Sequence, residues 1–273
     1  MEKFANYISK IEIQSLWSGH KHVVWELRPD VNILSGVNGV GKSTILNRII
    51  SQVRHRTDEL RNGALPGVHV EFSPADATGI HFDIIRSFDS QLIPGSILSK
   101  IGDDGVRSEL DWRLYELQRR YLDYQVNVGN RMIALLTSGT PNAQAEATKV
   151  AQAKTQFQDY VDELFATTQK TIDRTSNELR FTQWGEQLSL YKLSSGEKQL
   201  LVILLTVLLQ DSQPYVLFMD EPEVSLHIEW QERLINLVRD MNPNVQIILT
   251  THSPAVVMNG WADAVTEVSD ITQ

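Results

Sequence analysis

The chain has 273 residues, 42% of them hydrophobic, with no cysteine and a formal net charge of −9. That length supports one sizeable core, or one core with a modest appendage. The lack of cysteine excludes disulfides and thiolate metal sites, and the acidic balance argues against blanket electrostatic adhesion to DNA or anionic lipid.

Ile8 to Leu16 and His22 to Leu27 alternate apolar and polar residues at period two and are expected to be strands. Val31 to Leu34 reads as a short strand that feeds a glycine-rich loop, and Ser43 to Arg54 carries a helical pattern. Arg48, Arg54, Arg56 and Arg61 cluster shortly after the glycine-rich loop and read as a solvated helix face. Val68 to Phe72 and Ile80 to Ile85 suggest a further strand pair across the SPADATG turn. The first strands are therefore expected to be antiparallel and the later ones parallel.

From Asp111 to Leu136 the pattern is helical, with Leu114, Leu117, Tyr121 and Tyr124 on its apolar face. A Gly- and Pro-containing turn, Thr137 to Asn142, separates it from a second helical stretch, Ala143 to about Asn177. No sustained heptad supports a long coiled coil. Within this hairpin the segment Tyr115 to Gln125 is dense in aromatics and Arg. It reads as packing, aromatics inward and Arg outward, with a partner-docking surface as the alternative.

The last third alternates again: a hairpin or strand within Phe181 to Leu193, a helix from Ser194 to Leu209, a buried strand from Tyr215 to Met219, a helix from Ser225 to Asp240, and a buried strand from Val245 to Thr250. Strands alternating with helices predict a parallel sheet covered on both faces. The apolar run Leu200 to Leu209, broken only by Thr206, is too short to span a bilayer. Met1 to Lys10 lacks the hydrophobic core of a signal peptide, so the expectation is a cytoplasmic protein without membrane partners.

Four stretches carry chemistry. Gly36-Val-Asn38-Gly39-Val-Gly41-Lys42-Ser43-Thr44 fits a phosphate-binding loop between a strand and a helix. Its glycines let backbone N–H groups turn toward phosphate oxygens, Lys42 reaches the β- and γ-phosphates, and Ser43 is placed to ligate Mg²⁺. Asp220 and Glu221 end a buried strand, which has little other use for adjacent carboxylates. Asp220 is expected in the Mg²⁺ shell, with Glu221 orienting or deprotonating an attacking water. His252 follows the strand Val245 to Thr250, within reach of a γ-phosphate. Finally Ser194, Ser195, Gly196 and Glu197 open a helix whose N-terminus forms a second phosphate site, read as serving a nucleotide held by another subunit.

Together these motifs resemble the ABC-type ATPases, in the soluble branch that includes SMC, RecF and OLD-like proteins. The resemblance covers roughly Glu2 to Phe88 and Phe181 to Thr272. It implies an α/β head of antiparallel strands plus a parallel core sheet flanked by helices, with the helical hairpin inserted. It divides the chain into an N-terminal lobe at 1–90, the insertion at 91–180 and a C-terminal lobe at 181–273. It also implies ATP and Mg²⁺ as ligands, Glu221 and His252 as catalytic residues, and a homodimer that sandwiches ATP between the Walker A loop of one head and the signature loop LSSGEKQ of the other. A Q-loop glutamine contacting nucleotide and magnesium would be Gln91. The segment Pro222 to His227, with its DEPE…LH form, is closer to OLD and defence-associated proteins than to transporters.

Four roles follow. One is an immunity ATPase that gates a separate nuclease or toxin, as the resemblance to PtuA-like and AriA-like proteins implies. The others are a RecF- or SMC-like DNA repair ATPase, a transporter subunit, and an ATP-stabilised scaffold with incidental turnover.

Overall fold

The computed structural model describes residues 3–17, 19–57, 66–86 and 106–273. The chain divides into two compact units, Met1–Ser87 with Ser212–Val224 and Gln231–Gln273, and Phe88–Asp211 with Ser225–Trp230.

The first unit holds two sheets. Strands β1 (Tyr7–Leu16), β2 (Lys21–Glu26) and β4 (Val68–Ser73) form an antiparallel sheet in the order β2-β1-β4. Strands β3 (Val31–Ser35), β5 (Phe82–Arg86), β9 (Tyr215–Asp220), β10 (Val245–Thr250) and β11 (Val265–Glu267) form a parallel one in the order β11-β3-β10-β9-β5. Every residue of β10 is buried, as are the central four of β9, which explains their near-continuous apolar runs. Helix α1 (Lys42–Thr57) presents Ile45, Leu46, Ile49, Ile50 and Val53 at helical spacing to a core shared with both sheets. The fully buried Gln246 of β10 joins the sheets: its amide donates to the carbonyls of Ile8, at 2.8 Å, and Arg28, at 2.7 Å. Its Oε1 accepts the Ile8 N–H at 2.8 Å.

The second unit contains the hairpin of α2 (Glu109–Thr137) and α3 (Ala143–Leu164), a small antiparallel sheet of β6 (Lys170–Ile172), β7 (Arg180–Gln183) and β8 (Glu186–Ser189), and α4 (Ser195–Leu209). Leu114, Leu117, Tyr121 and Tyr124 are buried in α2, and the Tyr121 ring lies 6.3 Å, centroid to centroid, from Phe157 of α3. Ser108 and Asp111 form a capping box at the start of α2, and Asp111 also binds Lys198 at 2.7 Å. Helix α5 (Ile228–Met241) begins in this unit and continues in the first; α6 (Pro254–Met258) follows β10.

Three expectations change. Val68 to Phe72 and Ile80 to Ile85 do not pair with each other: β4 pairs with β1, and β5 runs parallel to β9. Period-two patterning identifies strands without naming their partners. The second helix of the hairpin ends at Leu164, not near Asn177. Residues 166–177 include four β-branched threonines, which suit a strand better than a helix, and the Asp162 carboxylate accepts the Ile172 N–H of β6 at 2.7 Å. Helix α5 starts at Ile228 rather than Ser225, because Ser225 sits at φ 70°. The expected Arg61 and Gln91 lie outside the described residues.

Candidate nucleotide site

The glycine loop joins β3 to α1 in the first unit. Gly39 adopts φ 79° and Gly41 φ 106°, a backbone region that side-chain-bearing residues rarely enter. Gly41 has a second constraint, since a Cβ there would overlap the Trp17 ring. The N-terminus of α1 follows directly, so backbone N–H groups and the helix dipole favour an anion. Gly39, Gly41, Lys42, Ser43 and Thr44 line a cavity of about 470 Å³ together with Asn38, Trp17, Glu221 and His252.

Lys42 is 4% exposed. Its ammonium donates to the Gly36 carbonyl at 2.7 Å and the Val37 carbonyl at 3.3 Å, and lies 3.4 Å from His252 Nδ1. Burial holds its pKa below the ordinary lysine value, while the charge of Glu221 acts in the opposite direction. Ser43 Oγ donates to Asp220 Oδ1 at 2.9 Å. These are two hard oxygen donors of the kind Mg²⁺ takes from a protein when phosphates supply others, so the residues present fit that ion.

The parallel register sets Thr250 opposite Asp220, and that pairing organises the acids. Thr250 Oγ1 donates to Asp220 Oδ1 at 2.6 Å, and the Glu221 N–H donates to the Thr250 carbonyl at 3.1 Å. Glu221 adopts φ 48°, a costly conformation for a residue with a side chain. It turns the Glu221 carboxylate to His252, with Oε1 at 3.1 Å from Nε2. The structure therefore brings Lys42, Ser43, Asp220, Glu221 and His252 into one polar cluster.

The residues Ser194, Ser195, Gly196 and Glu197 belong to the second unit. Ser194 caps α4 in a capping box with Glu197, and Ser195 is exposed. Glu197 is 1% exposed. Its carboxylate takes up Lys170 at 2.7 Å, Thr168 at 3.0 Å and the Ser194 N–H at 2.8 Å. The carboxylate oxygens of Glu197 are thus committed to holding the loop. Gly196 faces inward, and a Cβ there would overlap the Ser225 carbonyl.

Sequence reasoning missed Trp17 and Thr250. Trp17 is 37% exposed in the turn after β1, with Lys21 Nζ 5.3 Å from its ring centroid. Thr250 is a buried hydroxyl closing an apolar strand, meaningful only once the register with β9 is known.

Residues 185–259 match the family model described as "AAA domain, putative AbiEii toxin, Type IV TA system", a stretch that holds Ser194 to Glu197, Asp220, Glu221 and His252. Over its full extent the chain is similar to the SMC head bound to the C-terminal winged-helix domain of ScpA, at TM-score 0.51 and 13% identity, covering 93% of this chain and 91% of that one. The chain therefore has the fold of an SMC head. The SMC head domain from Thermotoga maritima aligns at TM-score 0.46 and 15% identity over 98% of this chain and 94% of that one. This SMC-like head is also 30% identical over 115 residues to the "Retron Vc95 probable ATPase" of Vibrio cholerae serotype O1 biovar El Tor. That match covers 38% of this chain and only 22% of the relative's length. Among the described residues no helix is long and apolar enough to cross a membrane.

Proposed function

We propose that this SMC-like head binds Mg·ATP and hydrolyses it, and that the cycle closes and opens a homodimer which gates a separate effector protein. The observation that carries the reading is the cluster of Lys42, Ser43, Asp220, Glu221 and His252 at the mouth of the glycine loop. In this reading the backbone of Gly36, Asn38, Gly39 and Gly41, with Thr44 at the helix start, cradles the phosphates, and Lys42 exchanges its carbonyl contacts for phosphate oxygens. Ser43 and Asp220 hold the magnesium, which when bound offsets phosphate charge. Glu221 orients a water and accepts its proton, and His252 supports Glu221 and faces the terminal phosphate. Trp17 offers a stacking face for the base. Ser195 and Gly196 of a second copy complete the site, with Ser194 and Glu197 fixing that loop.

Two findings support the biological role: the similarity to a retron ATPase and the matched family's description as a toxin of a toxin–antitoxin system. Phosphate release from purified protein with Mg·ATP tests the enzyme reading, and Lys42→Ala should abolish nucleotide binding. Glu221→Gln should form dimers with Mg·ATP at micromolar protein, and a monomer under those conditions removes the sandwich. Tagged Glu221→Gln recovered from its host with Mg·ATP should bring down a stoichiometric nuclease or toxin. DNA without such a partner would turn the reading to repair.

A further inference from the structure

Glu223 ends the Asp220-Glu221-Pro222-Glu223 turn and has no place in the cluster described above. It is 7% exposed. One carboxylate oxygen, Oε1, accepts the Thr251 hydroxyl at 2.5 Å and the His252 N–H at 3.1 Å. The other, Oε2, is buried and has no hydrogen-bond partner among the described residues. The same strand end is tied back a second time. Ser253 N–H donates to Thr251 Oγ1 at 2.9 Å, Ser253 Oγ donates to Gln231 Oε1 at 2.7 Å, and Gln231 Nε2 donates to the Glu223 carbonyl at 3.4 Å. Thr251, His252 and Ser253 are thus held in succession to the turn that carries Asp220 and Glu221.

A buried carboxylate with one bare oxygen is an expensive way to hold a loop for stability alone, since the desolvation of Oε2 offsets part of what the two bonds at Oε1 contribute. What it supplies is direction. The Glu223 oxygen pins the backbone of the residue whose ring reaches Lys42 on one side and Glu221 on the other. We infer that Glu223 is a positioning residue for ATP hydrolysis: it braces the His252 segment on the acidic turn and so keeps the imidazole aligned with Glu221. This rests on the ATPase reading above, and it adds a residue that acts through His252 without touching nucleotide.

The experiment compares wild type with Glu223→Ala, Glu223→Gln and Thr251→Val, using histidine labelled with ¹⁵N and the His252 signals assigned by their loss in His252→Asn. In Glu223→Ala the His252 amide should exchange about tenfold faster or more, and its imidazole ¹⁵N shifts should move. Turnover should fall about 10- to 100-fold, the range for groups that orient a functional side chain, with KM for ATP little changed. Glu223→Gln keeps an acceptor oxygen and should restore the amide protection, the imidazole shifts and the turnover. Thr251→Val removes one donor while keeping the side-chain shape, so it should show a partial loss; it also carries the comparison if the alanine variant does not fold. Unchanged His252 signals and turnover in Glu223→Ala overturn the inference, as does a Glu223→Gln variant as impaired as the alanine. If wild type itself fails to hydrolyse Mg·ATP, the ATPase reading falls, and the His252 amide and imidazole signals still decide whether Glu223 is the brace.

Discussion

His252 Nε2 lies 3.1 Å from Glu221 Oε1, while Nδ1 of the same ring lies 3.4 Å from Lys42 Nζ. An ammonium can only donate and a carboxylate can only accept, so these partners select the neutral tautomer with its proton on Nε2. One imidazole therefore connects the phosphate loop to the acidic turn. His252→Ala should cut Mg·ATP turnover by about 10²-fold or more, the usual scale for a positioned acid–base group, while leaving nucleotide affinity near wild type. Parallel phosphate-release and nucleotide-titration measurements check this. A loss of affinity as large as the loss of turnover would mean that His252 serves Lys42 and binding instead.

Trp17 supplies a second prediction. Its ring occupies the space beside Gly41 in the cavity wall. Base–aromatic stacking is worth about 1–3 kcal/mol, so Trp17→Ala should weaken ATP binding roughly ten- to a hundredfold and Trp17→Phe far less. Competition by inorganic triphosphate, which has no base, should be the same in all three proteins. Equal weakening of ATP and triphosphate would assign the ring to the loop's structure.

Glu197 predicts a pH dependence of stability. Burial opposes its ionisation, but the Lys170 ammonium and the Ser194 bonds outweigh burial and hold its pKa below the ordinary glutamate value of 4.5. A depressed carboxylate contributes stability above the unfolded value and loses it as the pH falls through the folded one. This contribution should therefore be complete at neutral pH and disappear below about pH 4.5. Glu197→Gln should cost about 3 kcal/mol at pH 7, because it strands a nearly buried Lys170, and should differ less from wild type in acid. Urea melts at several pH values test the sign: a gap that widens toward acid contradicts it.

Gly196→Ala should fail through packing. Its added methyl meets the Ser225 carbonyl, a backbone atom with no rotamer to escape into. Overpacking of this kind costs about 1–3 kcal/mol, read as a lower melting temperature. Nucleotide binding to the glycine loop should persist, because Gly196 is not among the residues lining that cavity.

The sequence alone picked out the residues of the candidate site. Glycine spacing, the Lys42-Ser43 pair and two acids closing an apolar strand are local patterns, and each is legible because it breaks the rule for its element. The core strands were legible for a related reason: β10 and the central four residues of β9 are buried, so their apolar runs had no polar interruption except Gln246. What the tertiary structure decided was pairing. That β5 adds to β9 while β4 adds to β1 depends on which edges meet, and alternation within a strand carries no such information. The same holds for side chains whose meaning lies in a partner far along the chain. Thr250 acts on Asp220 through strand register, Trp17 packs against Gly41 from the turn after β1, and the Glu197 carboxylate meets Lys170 within the second unit. A motif declares the chemistry a residue can do; only the folded chain, by setting distances between residues remote in sequence, selects which partner receives it.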